Sequence, residues 1–492
     1  MELLRARLGE IADVQAAIAL LDWDQQTYMP PKAAEGRGRQ LATLSAMAHR
    51  LLVSDDVGEM LMRLAGQALS PDDARLVEVA LYDYERARKV PGELVEAFAE
   101  EQSRAFQAWV KARETSDFAL FAPHLERLLE LLRRKADCLG YEESPYDALL
   151  EDYERGMTAG QLKVLFADLA ERQSRLVRRI AERGNPPAPA WLGQPWDEQA
   201  QWNFTVRVLT DMGYDMAAGR QDRSVHPFTT SMGLRDVRIT TRIDARQPFS
   251  ALLSSIHEGG HALYEQGIPE ADARTPLAEG TSLGIHESQS RLWENGIGRS
   301  LPFWRHYLPV LREHFPVQLD GVAPEDLYRA INRVEPSFNR VESDECTYNL
   351  HIILRFELEV ELMEGRLAAR DVPEAWNARF KRYLGLDVPD DARGCLQDIH
   401  WSHGLLGYFP TYALGNLYAA QILEVIEREV PELWPDVGAG RFGPLREWLR
   451  EHVHRHGRRK TARELIADIT GCEPDAEPFM RYLEKKFGAT KG

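Results

Sequence analysis

Cysteine is scarce in this chain. Only four of the 492 residues are cysteines, they lie far apart, and no two are spaced as CxxC. Neither a disulfide framework nor a cysteine-ligated zinc site is therefore expected, and a reducing, cytoplasmic compartment fits best. The four are Cys138, Cys346, Cys395 and Cys472.

An excess of positive charge is also lacking. The 60 lysines and arginines are outnumbered by 77 aspartates and glutamates, which gives a formal net charge of −17. Proteins that bind nucleic acid gain much of their affinity by neutralising phosphates. The electrostatic field of this negatively charged chain would instead repel phosphates. Nucleic acid is therefore not an expected partner.

Long hydrophobic segments are nearly absent. The first seven residues carry charge and lack the apolar core of a signal peptide. One run without charged residues, 401–423, is long enough to span a bilayer. It contains His403, Asn416 and Gln421, which would be costly in lipid. It is therefore predicted to be a buried segment that contributes functional side chains, and no membrane contact is expected.

Helical periodicity dominates what remains. Apolar residues recur every three or four positions among many Leu, Ala, Glu, Arg and Gln residues, which predicts a mainly α-helical protein. Pro186, Pro187 and Pro189 predict a loop over residues 184–194. No repeat or flexible linker interrupts the chain, so one large helical domain over residues 1–492 is expected. The clearest helices are predicted at residues 94–113, 123–138, 159–183 and 348–367.

Residues 236–243 break the helical pattern. Val237, Ile239 and Thr241 alternate with polar residues, and a period of two with β-branched side chains predicts a strand. A small sheet here could present an edge to an extended peptide. The alternative is a structural hairpin.

The strongest chemical signal is His257-Glu258-Gly259-Gly260-His261, an HExxH motif. Residues i and i+4 of a helix stand one above the other, so two imidazoles there can bind one cation. The carboxylate of Glu258 lies beside them, where it can take a proton from a water that the metal activates. Paired glycines are unfavourable inside a helix, which indicates that another segment approaches closely. The alternative is two histidines on an ordinary helix face.

A catalytic zinc site needs a third protein ligand and an open position. Glu265 is on the same helix but too far along its axis to close a compact site. Glu287 begins another predicted helix, which would bring it opposite the histidines if the two helices were antiparallel. The residues alone do not choose between Glu287 and Glu294. The downstream carboxylates are Glu265, Glu270, Glu279, Glu287 and Glu294.

Several motifs together resemble those of the M32 family of thermostable (Taq-type) metallocarboxypeptidases. They are HEGGH at 257–261, HESQ at 286–289, DVRIT at 236–240, RVESD at 340–344 and GCLQDIHW at 394–401. The likeness runs in order from residues 21–30 to residues 478–483, so it covers essentially the whole chain. It implies a gluzincin-like helical fold with a deep groove, a helical part of about residues 1–200 covering that groove, and a catalytic part of about residues 201–492.

The same resemblance implies an activity and a metal centre. It implies homodimers that remove C-terminal amino acids from peptides with broad specificity, using one divalent metal per subunit. By the family pattern the ligands fall on His257, His261 and Glu287, and the catalytic carboxylate on Glu258. Zinc is the first choice for such ligands, and cobalt and manganese are alternatives.

Peptide hydrolysis builds negative charge on the carbonyl oxygen, so a hydrogen-bond donor must lie near it. His403 and Tyr412 lie in the charge-free run, and their spacing resembles the His…Tyr donor pair of related helical zinc oligopeptidases. They are predicted to be transition-state donors. The alternative is a buried structural network.

Removal of C-terminal residues also requires recognition of a free carboxylate, for which the planar fork of arginine is suited. Arg340 occupies the arginine position of the family's (I/V)RxxAD motif, although Asn339 and Ser343 depart from that motif. The alternative role for Arg340 is an ion pair with Glu342 or Asp344.

Five further residues are predicted from the family motifs. His226 and Arg238 are expected near the substrate, the alternative for His226 being a histidine in a turn. Gln397, Asp398 and His400 are expected to orient the metal ligands or the donor segment. Of these, Asp398 is expected to accept a hydrogen bond from a ligating imidazole.

The sequence therefore predicts a metal-dependent carboxypeptidase that acts on peptides. An oligopeptidase that cuts internal bonds would use the same metal site without needing Arg340. A non-catalytic peptide-binding scaffold with a structural metal is a third hypothesis.

Overall fold

The structure is a computed structural model that describes residues 1–184 and 188–488. Within them the chain is mainly helical with one small sheet, which confirms the predicted fold class. The helices are α1 Glu2–Thr27, α2 Ala34–Leu52, α3 Asp55–Ala65, α4 Pro71–Lys89, α5 Gly92–Thr115, α6 Ala122–Leu139, α7 Pro145–Leu150, α8 Ala159–Arg183, α9 Glu198–Met212, α10 Ser250–Gly267, α11 Leu283–Arg291, α12 Leu301–His314, α13 Pro324–Ile331, α14 Tyr348–Met363, α15 Val372–Leu384, α16 Pro410–Glu429, α17 Leu433–Gly438, α18 Gly443–His452, α19 Ala462–Thr470 and α20 Glu477–Leu483. The strands are β1 Gly219–Arg223, β2 Thr229–Ser231 and β3 Val237–Thr241.

The helices predicted from periodicity are present as α5, α6, α8 and α14. In α8, Leu162 and Leu169 are buried, whereas the side chains of Glu171 and Arg175 are 71% and 59% exposed. The apolar stripe therefore faces the core, as its spacing predicts. The helix ends at Arg183. Two of the prolines that predict the next loop, Pro186 and Pro187, lie outside the described residues.

The strand predicted at residues 236–243 is β3. It is the central strand of the sheet, with β1 parallel on one side and β2 antiparallel on the other. Val237 is aligned with Gly219 of β1 and with Ser231 of β2. Because both edges of β3 are paired, a peptide that extended this sheet would have to pair with β1 or β2.

The charge-free run is buried, as predicted. It forms a short 3₁₀ turn, His400–His403, then a loop, and then α16, most of which is buried. None of the helices in the described part of the chain combines the length and the hydropathy that a membrane span needs.

The described residues form two large hydrophobic clusters and a small third one of Ala136, Leu139 and Ala148. The largest cluster joins the helices from α5 to α20. A smaller one is shared by α1, α3 and α4, and it includes Leu277 from the segment between α10 and α11. The N-terminal helices therefore pack against the segment that follows the HExxH helix. The prediction of a single domain divided near residue 200 stays a prediction.

Helix α11 is held between α10 and α16 at positions where only glycine fits. A methyl group on Gly260 of α10 would lie 2.7 Å from the carbonyl oxygen of Gln289 and from Cα of Ser290 in α11. A methyl group on Gly415 of α16 would lie 2.6 Å from Cβ of Glu287 in α11. Such distances are too short for packed atoms. The close approach that the paired glycines indicate is therefore present, and α11 is the segment that makes it.

We predict that Gly260→Ala destabilises the protein although alanine is the better helix former. The methyl group meets backbone atoms, which cannot move aside, so overpacking should cost about 1–3 kcal/mol. Calorimetry should show a lower melting temperature.

Gly38→Ala is the matched control. Gly38 is an exposed residue of α2, and a methyl group there meets nothing within 4 Å. This variant should gain up to about 1 kcal/mol from helix propensity. Equal melting temperatures for the two variants would contradict the packing argument.

Candidate active site

His257 and His261 lie one turn apart on α10, and both are largely buried. Their side chains are 19% and 15% exposed, and their ring centroids are 5.0 Å apart. The helix runs unbroken through the motif to Gly267, so the i, i+4 arrangement expected from the sequence is present.

Glu287 of α11 faces the two rings. Its Oε2 lies 3.5 Å from Nε2 of His257 and 3.4 Å from Nε2 of His261, and the three atoms that could bind a metal lie within 4.8 Å of one another. Tetrahedral ligands at about 2.1 Å from one zinc ion are about 3.4 Å apart. This donor set therefore fits a single divalent ion.

The carboxylate of Glu287 is oriented from behind by Arg291, one turn further along α11. Nε of Arg291 donates to Oε1 of Glu287 at 2.6 Å, and the guanidinium lies 4.3 Å from the ring centroid of Tyr348. Burial would raise the pKa of Glu287, but Arg291 and the two histidines hold it well below its usual range. Glu287 is therefore an anion whose Oε2 is turned towards the imidazoles.

Glu294, the other carboxylate that the sequence allowed as a third ligand, lies behind His257. It belongs to a π-helical turn, Leu292–Gly298, that continues α11. Its Oε2 lies 2.9 Å from Nδ1 of His257, and its Oε1 accepts a hydrogen bond from Arg299. An acceptor at Nδ1 keeps the ring proton there and leaves Nε2 free for a metal.

His261 has a different partner at its Nδ1. That atom lies 2.5 Å from Nδ1 of His286, and Nε2 of His286 lies 2.7 Å from Oε1 of Glu265. Glu265 therefore faces His286 rather than the space between the ligand atoms.

Glu258 is buried beside His257. Thr229 of β2 donates from its hydroxyl to Oε2 of Glu258 at 2.6 Å. Burial raises the pKa of Glu258, although His257 and Thr229 partly offset this. The small sheet thus holds the carboxylate of the HExxH motif in place.

Tyr412 contacts His400 rather than His403. The hydroxyl of Tyr412 lies 3.5 Å from Nε2 of His400. His403 stacks instead on Phe106 of α5, with ring centroids 5.3 Å apart. Burial raises the pKa of Tyr412 well above its usual value, so the phenol keeps its proton. The structure therefore does not bring the two predicted donors into contact with each other.

Arg340 is buried and pairs with Asp398, not with Glu342 or Asp344. Its Nε and one terminal nitrogen donate to Oδ1 of Asp398 at 3.1 and 2.9 Å, and the other terminal nitrogen donates to the Tyr348 hydroxyl at 3.0 Å. The alternative partners proposed from the sequence are therefore wrong.

The prediction that Asp398 accepts a hydrogen bond from a ligating imidazole is also wrong. Its Oδ2 accepts from Nε of Arg355 at 2.8 Å, while Oδ1 accepts from Arg340. Two guanidiniums outcompete a neutral ring for a buried carboxylate because the bonds are charge-assisted. Gln397 lies beside the same arginine, where its side-chain oxygen accepts from the backbone N–H of Arg340.

His226 and Arg238 lie on the sheet side of the molecule. His226 is exposed in the loop before β2. Arg238 makes two hydrogen bonds to Asp236, at 2.7 and 2.8 Å, and its guanidinium lies 4.4 Å from the ring centroid of Trp23 in α1. Arg238 therefore ties the N-terminal helix to the sheet, and its role towards substrate stays a prediction.

Comparisons with known proteins agree with one another. The sequence model of the Carboxypeptidase Taq (M32) metallopeptidase family matches residues 3–487. Thermostable carboxypeptidase 1 of Thermus thermophilus is 42% identical, with 98% of this chain and 97% of the relative covered. Carboxypeptidase 1 of Bacillus subtilis is 40% identical, with 98% and 96% covered. The crystal structure of an M32 carboxypeptidase from Deinococcus radiodurans R1 superimposes with a TM-score of 0.97 at 43% identity, covering 99% of this chain and 98% of the other.

The chain belongs to the M32 family. It is therefore a metallocarboxypeptidase, and its substrates are peptides. A metallopeptidase needs a divalent metal, and the group formed by His257, His261 and Glu287 is the one that fits it in the described part of the chain.

Several residues around this M32 site were not found by sequence reasoning. His286 lies inside the HESQ motif, and Arg291 follows Glu287 at i+4, which is a readable ion-pair spacing. Thr229, Tyr348 and Arg355 come from distant segments, and no local signal marks them.

Proposed function

We propose that His257, His261 and Glu287 hold one divalent ion, zinc by preference, and that the enzyme uses it to release single residues from peptide C-termini. The observation that carries the proposal is the convergence of both Nε2 atoms on one oxygen of Glu287. When bound, the ion supplies Lewis-acid polarisation of the peptide carbonyl and acidifies a water molecule.

Glu258 is proposed as the general base. Its carboxylate adjoins His257 on α10, and its raised pKa makes it a better proton acceptor than an ordinary glutamate. It takes a proton from the attacking water and passes it to the leaving amine. Thr229 keeps Oε2 in position during both transfers.

Tyr412 is proposed as the donor to the carbonyl oxygen. Its phenol is partly buried and keeps its proton, because burial, with a smaller contribution from the charge of Glu287, raises its pKa well above the usual value. Nε2 of His400 lies 3.5 Å from the hydroxyl, where it helps to orient it. His403, which stacks on Phe106, stays a candidate donor from the sequence alone.

Arg340 is proposed to bind the terminal carboxylate of the substrate. Asp398 and Tyr348 use three of its five N–H groups among the described residues. One N–H on each terminal nitrogen remains, and this is the pair that binds a carboxylate end-on. The guanidinium lies 5.0 Å from the ring centroid of Tyr412. The clamp and the donor are therefore adjacent, as removal of a single residue requires.

The proposal also covers the identity of the metal, the oligomeric state and the compartment. Imidazole and carboxylate ligands favour zinc, but they also admit cobalt and manganese. The homodimer is proposed by likeness to the family. The cytoplasm is proposed because all four cysteines are free.

We predict that Tyr412→Phe lowers kcat by about 10²-fold to 10³-fold with little change in KM, because a donor to the developing oxyanion acts mainly in the transition state. Steady-state kinetics on a blocked dipeptide measure both constants. Tyr153→Phe is the control, since its ring contacts Tyr408 rather than Tyr412, and it should leave kcat nearly unchanged. An unaltered kcat in Tyr412→Phe would remove the assignment.

We also predict that Arg340→Met weakens cleavage of free-acid peptides selectively. Loss of a charged, paired hydrogen bond should lower kcat/KM by about 10²-fold, whereas amidated peptides, which lack the charge, should lose much less.

Arg340→Lys keeps the charge without the fork and should fall between the two. Equal losses on free-acid and amidated peptides would count against carboxylate binding. Undiminished cleavage of amidated peptides by the unmodified enzyme would favour the oligopeptidase alternative.

A further inference from the structure

The two candidate imidazole ligands are held by acceptors of different kinds. His257 faces the carboxylate of Glu294, which is itself paired with Arg299. His261 faces another imidazole, that of His286, and only through it the carboxylate of Glu265. The residues of this second hydrogen-bonded series, His261, His286 and Glu265, come from two helices, α10 and α11.

We infer that His286 and Glu265 are positioning residues that fix the proton of His261 and thereby set its affinity for the metal. The inference rests on the proposed ligand set, but it concerns residues that touch neither metal nor substrate. His286 acts on His261, and Glu265 acts only through His286.

The geometry of the hydrogen bonds from His261 through His286 to Glu265 determines which ring nitrogens carry the protons. If Nε2 of His261 binds the metal, the ring proton of His261 must be on Nδ1. Nδ1 of His286, 2.5 Å away, must then accept it, so the proton of His286 must be on its other nitrogen. That nitrogen lies 2.7 Å from Oε1 of Glu265, a carboxyl oxygen that can accept its hydrogen bond. A single arrangement of two protons thus satisfies all three groups and leaves Nε2 of His261 free.

The surroundings hold the His286 ring in this position. It packs against the rings of His261 and Tyr264, with centroid separations of 4.6 and 5.2 Å. A methyl group on Gly280 would lie 2.8 Å from Cδ2 of His286, so the absence of a side chain there makes room for the imidazole. The side chains of His286 and Glu265 are only 19% and 14% exposed, which limits competition by water for these hydrogen bonds.

The test is a double-mutant cycle at His286 and Glu265 in which the affinity for zinc is measured. His286→Phe keeps a ring and removes the acceptor. His286→Asn can place an amide oxygen near the position of Nδ1 while breaking the link to Glu265. Zinc dissociation constants are measured by chelator competition on the metal-free proteins, after circular dichroism has established that each is folded.

We expect His286→Phe and Glu265→Ala each to weaken zinc binding by about 10-fold to 100-fold, the usual effect of losing an outer partner of a ligand. His286→Asn should recover part of the loss. In the His286→Asn background, Glu265→Ala should not weaken zinc binding further, because the hydrogen bond between residue 286 and Glu265 is already lost. A merely structural role would instead give losses that add.

Two controls separate this inference from the proposed function. Glu287→Ala should abolish tight zinc binding, and if it does not, the ligand set itself fails. Glu270→Gln removes a charge from an exposed carboxylate near α10 that pairs with Arg235, and it should leave affinity unchanged. If Glu287→Ala behaves as expected but His286→Phe binds zinc as the unmodified protein does, or if the cycle is additive, the positioning role is overturned.

Discussion

The close contact between α10 and α11 is the constraint on which the rest of the site depends. Gly260 allows the backbone of α11 to reach α10, and Gly415 allows α16 to press on the same helix from the other side. Glu287 is thereby brought to 3.4–3.5 Å from two imidazole nitrogens that lie one turn apart. A side chain at either glycine would separate the helices, and the three groups could no longer meet one ion.

Buried charges surround this contact, and several of them are paired with opposite charges. Glu287 pairs with Arg291, and Glu294 pairs with Arg299. Asp398 joins two arginines of which one is the proposed substrate clamp. Buried ion pairs contribute little net stability because their desolvation is costly. Their concentration here is better explained by function, because they fix the directions in which the ligands and the clamp point.

The sequence predicts those features that depend on local spacing. The periodicity of α8, the strand at β3 and the paired imidazoles of α10 all follow from neighbours in the chain. Glu287 and Glu294 could not be separated in this way, because they are seven residues apart, about two helical turns, and both face α10. Which of them meets Nε2 depends on how α11 and its π-helical turn pack against α10.

The same limit applies to contacts between segments that are distant in the sequence. His400 and His403 flank one 3₁₀ turn, and spacing alone cannot say which of them meets Tyr412. Arg340 and Asp398 are 58 positions apart, so nothing in the RVESD segment shows that its arginine leaves Glu342 and Asp344 for a distant carboxylate. Family resemblance selected Glu287 as the expected ligand, whereas the structure shows that it lies where it could act as one.

The central claim is that one divalent ion, bound among His257, His261 and Glu287, makes this chain an enzyme that shortens peptides from the C-terminus. The most direct measurement starts from metal-free protein and an N-terminally blocked peptide with a free C-terminus, with products read by mass after each divalent ion is added. We expect no product without metal, and with zinc, cobalt or manganese a ladder of peptides that have lost successive C-terminal residues. Products from internal cleavage, or the same ladder from protein that stays free of metal, would contradict it.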